Sequence, residues 1–275
     1  MDRELFIQPS VRIRNLEKKL LTKSQFERLY EADDLQDSIR HLNETVYSED
    51  LAKIDRAENF EVALSNSLNR TYSEVLSLCP VKELVDVLTY RFAFHNIKVA
   101  VKEKILQENF EHIYSKVHYE DLDNLRKQFE TEKGEKGTWY EDTVIQAYKT
   151  FEETKDPEKI EFFIDKRYFE KVLEISKKFG LDLVEEYFRA MIDFVNIRTF
   201  IRCKRQEQDI SVLKEALIQG GYIDIDDIST YFYKEIQDLV NAYKNTKIGK
   251  SLFLGLKGYN ETGRLLLFEK HMENY

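Results

Sequence analysis

The chain has 275 residues, 42% of them hydrophobic, and 51 acids against 42 Lys and Arg give a formal net charge of −9. The apolar content suffices for a real core, in one large domain or two to three small ones. The negative balance argues against nucleic acid as a partner, because phosphate binding needs clustered positive charge.

The opening stretch, MDRELFIQPSVRIR, lacks the apolar segment of a secretory signal. No uncharged run exceeds eight residues, whereas a membrane-spanning helix needs about twenty; no direct membrane insertion is expected. Cys79 and Cys203 are too few for a disulfide framework and have no metal-ligand spacing, so free thiols and a cytoplasmic location are expected. No glycine precedes Gly134, and Pro9, Pro80 and Pro157 are the only prolines. A chain so rarely interrupted reads as all-α.

In chain order, Thr22 with Gln25 and Asp33 with Gln36 have the spacing of capping boxes. Residues 31 to 75 carry eleven acids against four Lys and Arg. Val81–Leu106 reads as a long helix, with Leu84, Val87, Leu88, Phe94, Ile97 and Val101 at three-and-four spacing. Glu108 and His112 lie four apart in a helical pattern, a possible metal pair that is better read as solvated surface. GEKG, residues 134 to 137 before Trp139, reads as a polar turn. Asp156 before Pro157 is an N-cap followed by a first-turn proline, and that helix should stop at Gly180. Residues 241 to 270 reverse the charge, with six bases against two acids. Ordinary solvated helix faces explain such patches, and so would two different protein-docking surfaces.

A repeat runs through this helical pattern. FHNIKVAVKEK (94 to 104) returns one hundred residues later as FVNIRTFIRCK (194 to 204), with Lys98 and Lys102 replaced by Arg198 and Arg202. NFEVAL, YFEKVL and LFEKHM each place Phe-Glu near the start of a helical pattern. Three related units are expected, at about 11–109, 110–210 and 211–275, the last incomplete. On a helical projection Phe94, Ile97 and Val101 share one face, Lys98 and Lys102 flank it, and Asn96 falls opposite. Asn196, Arg198 and Arg202 repeat the arrangement. One reading is that the amides bond a neighbouring helix while the bases edge the core. The other is that all six residues line a surface receiving a partner.

The stretch RIRNLEKKLLTKSQFERLYEADDLQDSIRHLNETVY, Arg12 to Tyr47, resembles the opening of the C subunit of bacterial and archaeal V-type ATPases, whose eukaryotic counterpart is the d subunit. Its marks are Arg12 and Arg14 before Leu16-Glu17, the Leu20-Leu21 pair, Phe26-Glu27-Arg28-Leu29, and Thr45 with Tyr47 after Leu42. The Asn-Ile-Lys and Asn-Ile-Arg helices and ALIQGGYIDIDDI (216 to 228) are similar to elements recurring in that family. The resemblance implies a pseudo-threefold funnel of three helical units, with the third truncated here. It also implies a non-catalytic adaptor between the stalk subunits D and F and the proteolipid c-ring, peripheral to the membrane and driving proton or sodium transport.

Enzymatic alternatives find no support in the residues. His41, His95, His112, His118 and His271 form no HExxH pair, and neither a phosphate-binding GxxxxGK[ST] loop nor a GxSxG elbow is present. No catalytic residue, metal or cofactor is expected. A generic helical-repeat scaffold is the competing reading.

Overall fold

A computed structural model describes residues 4–117, 127, 141–273 and 275. Among them there are helices, turns and loops and no strand, in agreement with the all-α reading. The chain divides into two compact units, Met1–Lys127 and Gln128–Tyr275. The GEKG turn, Trp139 and His118 lie outside the described residues.

The first unit opens with α1 (Ile7–Glu17), α2 (Lys23–Tyr30), α3 (Leu35–Leu42) and the single turn α4 (Ser48–Leu51). None of the residues in α1, α2 or α3 is fully buried. Thr22 makes the expected capping box with Gln25. In DDLQ the cap is Asp34, which accepts from the Asp37 N–H, rather than Asp33. The motif holds two overlapping carboxylates, each with a polar residue three positions on, and spacing alone cannot choose between them.

The core of this unit lies under α5 (Phe60–Leu78) and α6 (Lys82–Leu106). Arg70 on α5 bridges to Asp50 at 2.7 Å, a carboxylate that is almost fully buried at the end of α4. Tyr72 and Phe92 meet edge to face across the two long helices. Phe94, Ile97 and Val101 are buried as expected, but so are Tyr90, Ala93, Asn96, Val99 and Ala100 on other faces, while Leu88 is exposed. The second half of α6 is thus buried on every face but the one that carries Arg91, His95, Lys98 and Lys102.

The second unit contains α7 (Glu141–Thr154), α8 (Pro157–Lys178), α9 (Asp182–Arg205), α10 (Ile210–Ala216), α11 (Ile225–Thr230), α12 (Ile236–Tyr243), α13 (Gly249–Thr262) and α14 (Leu265–Glu273). Asp156 caps α8 through the Glu158 N–H, with Pro157 in the first turn. The helix ends at a left-handed Gly180, φ 61°. There the Leu181 N–H reaches back to the Ser176 carbonyl and the Gly180 N–H to that of Lys177, the pairing that satisfies a helix's last carbonyls. Phe169-Glu170 of the YFEKVL marker lies in the second half of α8, not near its start as Phe60-Glu61 does in α5. Phe268-Glu269 of LFEKHM does stand near the start of α14, so the expectation holds at two of the three markers.

α9 is the axis of this core. Its Phe194, Ile197, Phe200 and Ile201 pack with Leu213, Ile228, Leu252 and Phe268, all fully buried. Phe194 and Phe268 meet edge to face at 6.2 Å. α13 and α14 approach closely at Gly255, where an added Cβ would lie 2.9 Å from the Phe268 ring.

Candidate functional site

The duplicated helices start one hundred residues apart, at Lys82 and Asp182, and both end through a non-glycine residue in the left-handed region, Gln107 and Glu207. On each, the asparagine performs the same task. Asn96 donates through Nδ2 to the Ser115 carbonyl at 2.9 Å, and its Oδ1 accepts the Ser115 N–H at 2.8 Å. Asn196 donates to the Ile218 carbonyl at 2.7 Å and accepts the Ile218 N–H at 2.9 Å. A primary amide holds a donor and an acceptor side by side, so it pairs with one residue's backbone as a neighbouring strand would. Both asparagines are 0% exposed. This corrects the projected placement opposite the core: the amides are spent on the segment that follows the helix, because the helix is enclosed on more than one face. Neither amide is a surface group of the described chain.

Each helix grips that following segment at further points. On α6, Glu103 accepts from the Phe110 N–H at 2.8 Å and from the Tyr114 hydroxyl at 2.6 Å, and a ring nitrogen of His95 lies 3.0 Å from the Ile113 carbonyl. On α9, Asp193 takes the N–H groups of Tyr222 and Ile223 at 2.9 and 3.0 Å. Arg189 donates to the Gly221 carbonyl at 3.0 Å and lies over the Tyr222 ring. Lys204 ties down the carbonyls of Phe232 and Lys234 at 2.6 and 2.7 Å. Gly221 is required here because an added Cβ would collide with an Asp193 carboxylate oxygen. Burial pushes the Asp193 carboxyl up to about 6, against the pull of its two backbone N–H donors and the Arg189 charge.

The four basic positions remain at or near the surface. Lys98 and Arg198 are half-buried, and Lys102 and Arg202 are exposed, so the two copies share one burial pattern. Arg198 lies 3.5 Å from Glu269 on α14. Glu108 and His112 do not share a helix: α6 stops at Leu106, the left-handed Gln107 turns the chain away, and His112 falls in a separate short turn, Glu111–Ile113. Cys79 donates to the Val81 carbonyl and Cys203 is buried, both as free thiols. The pattern reading missed Glu103, Arg189 and Asp193. Asp193 carried a signal, since it stands between Ile192 and Phe194 and three residues before Asn196, where an apolar residue would keep the core period.

No helix among the described residues is long and apolar enough to cross a membrane. Against known proteins, the chain is 24% identical over 248 residues to the C subunit of the V-type sodium ATPase of Enterococcus hirae, a match that covers 90% of this chain and 74% of that protein. It is 28% identical over 233 residues to the C subunit of the A-type ATP synthase of Desulfurococcus, covering 79% of this chain and 62% of the relative. With the corresponding Pyrococcus horikoshii protein it shares 24% identity over 286 residues, 97% of this chain and 75% of the relative. The chain thus spans about three-fifths to three-quarters of the length of these relatives. The family model for the ATP synthase (C/AC39) subunit matches residues 9–275, nearly the whole sequence, and the chain belongs to that family.

Proposed function

We propose that the chain is a non-catalytic central-stalk component of a rotary V-type ATPase, coupling the D and F shaft subunits to the proteolipid ring in ATP-driven proton or sodium transport. The observation that carries this reading is the family match over residues 9–275. The duplicated, clasped helices support it, because a part that transmits torque must be stiff and both α6 and α9 are fastened to the segment that follows them. In this reading the helical units stand around a pseudo-threefold socket that takes the shaft. The bases on the duplicated helices meet the shaft, with Lys102 and Arg202 ahead of Lys98 and Arg198 because they are the exposed pair. Asn96 and Asn196 shape the socket from inside.

Co-purification of the tagged chain with the D and F shaft subunits and the proteolipid ring tests the assignment, and failure to retain either would overturn it. Lys102→Glu with Arg202→Glu should weaken shaft binding more at low salt than at high salt, because exposed charges are screened beyond about 8 to 10 Å at physiological ionic strength. ATP hydrolysis by the detached catalytic head should be unchanged while coupled ion transport falls. Unaltered shaft affinity in a folded variant would remove these helices from the contact.

A further inference from the structure

The N-terminal helix α1 has two sides of different character. Pro9, Ile13 and Leu16 are half-buried, and Arg12 anchors the helix to Glu74 on α5 at 3.2 Å. At 100° per residue, Ile7, Val11, Arg14 and Lys18 fall within about 60° of one another on the opposite side. Ile7 is 62% and Val11 60% exposed, and Leu5 and Leu20 at the two ends of the helix are 55% and 70% exposed. Arg14, Lys18 and Lys19 form no ion pair with another described residue. Residues 7 to 20 carry four bases against the single acid Glu17, whereas the segment from residue 31 onward is strongly acidic.

We propose that this outward ridge of α1 docks on an anionic phospholipid surface, with Ile7 and Val11 at the boundary below the headgroups and Arg14 and Lys18 on the phosphates. The charge is complementary to such a surface, and these bases are not spent on ion pairs within the described chain. The exposed apolar residues of the ridge, Ile7 and Val11, are aliphatic. Protein docking sites favour aromatic anchors, with Leu and Val under-represented, while aliphatic side chains beside Lys and Arg suit a helix lying in the membrane interface. The contact lies on the bilayer and does not span it, and it adds a lipid contact to a chain whose sequence points only to a peripheral location. The proposal rests on the reading above, since a membrane-bound machine would hold this protein near headgroups.

The test uses the full chain and vesicles of equal phosphatidylglycerol and phosphatidylcholine, compared with phosphatidylcholine alone, by co-sedimentation. Binding is expected only to the anionic vesicles and should weaken with salt. Arg14→Gln with Lys18→Gln should lower partitioning about thirtyfold, from about 1 kcal/mol per base near an anionic surface. Ile7→Ser with Val11→Ser should lower it comparably, and Lys244→Gln with Lys250→Gln should leave it unchanged. All four substituted positions at α1 and its C-cap are exposed, and a wild-type melting curve verifies folding. Absence of binding to anionic vesicles, or equal binding by the folded α1 variants, overturns the proposal. If those variants instead lose the ring or shaft subunits in detergent, the ridge is a protein-docking face and the lipid proposal fails while the stalk assignment stands. Failure of the wild type to co-purify with those subunits would sink the assignment and leave the vesicle result intact.

Discussion

Replacing Asn196 by alanine removes both halves of a buried backbone pairing at once. The Ile218 N–H and C=O, held at 2.9 and 2.7 Å, lose their partners in a site with no solvent access. Leaving a buried polar group unsatisfied costs about 1–3 kcal/mol, so the two together should cost roughly 2 to 6 kcal/mol. Asn196→Asp is the sharper variant. It keeps the acceptor but turns the donor into a second acceptor, which sets a carboxylate oxygen against the Ile218 carbonyl, and it should cost at least as much as alanine. Because the chain has two units, a single global unfolding energy is a poor measure; amide hydrogen exchange reads the site directly. Protection of the Ile218 amide should fall at least tenfold in Asn196→Ala, with the Ser115 amide unchanged, and Asn96→Ala should reverse the pattern. Wild-type protection at Ile218 in the variant, or a destabilisation below about 0.5 kcal/mol, the level of an ordinary surface substitution, would refute the clasp.

Asp193 gives a pH signature. Its folded pKa is raised from 3.8 to about 6, so the folded state binds the proton more tightly and the contribution to stability falls as pH rises between these values. The stability of wild type relative to Asp193→Asn should therefore drop by roughly 2 to 3 kcal/mol from pH 4 to pH 7, read by urea unfolding at each pH; a flat difference would refute it. Gly221→Ala should destabilise the second unit by more than about 2 kcal/mol through overpacking, since its Cβ would strike Asp193. Gly180→Ala, where nothing lies within 4 Å, should cost only the left-handed strain of about 1 kcal/mol. Equal melting temperatures for the two alanine variants would contradict this contrast.

Helix existence was legible wherever a local signal set it. Pro157 and Gly180 bracket α8, Thr22 with Gln25 starts α2, and the hundred-residue offset set α6 against α9. Direction was less legible than existence. Projecting Asn96 away from Phe94, Ile97 and Val101 assumes a helix buried on one side, and α6 is enclosed where the chain folds back over it. Position 193 shows the complementary difficulty. A carboxylate in an apolar run suggests a buried role, but its partners are backbone N–H groups about thirty residues away, and backbone donors leave no trace in side-chain spacing. The left-handed Gln107, which parts Glu108 from α6, is a conformation its residue type does not announce.

The sequence distance spanned by each clasp bears on the order of folding. Asn96 reaches forward 19 residues and Asn196 reaches forward 22. Closing a loop of that length is entropically inexpensive, and contacts of short separation form early. During synthesis each long helix therefore meets its clasp partner before the next long helix has emerged, and the first unit can settle without waiting for the second. A chain destined for a large assembly thus acquires its pieces in the order they leave the ribosome, each secured by an amide written into the helix before it.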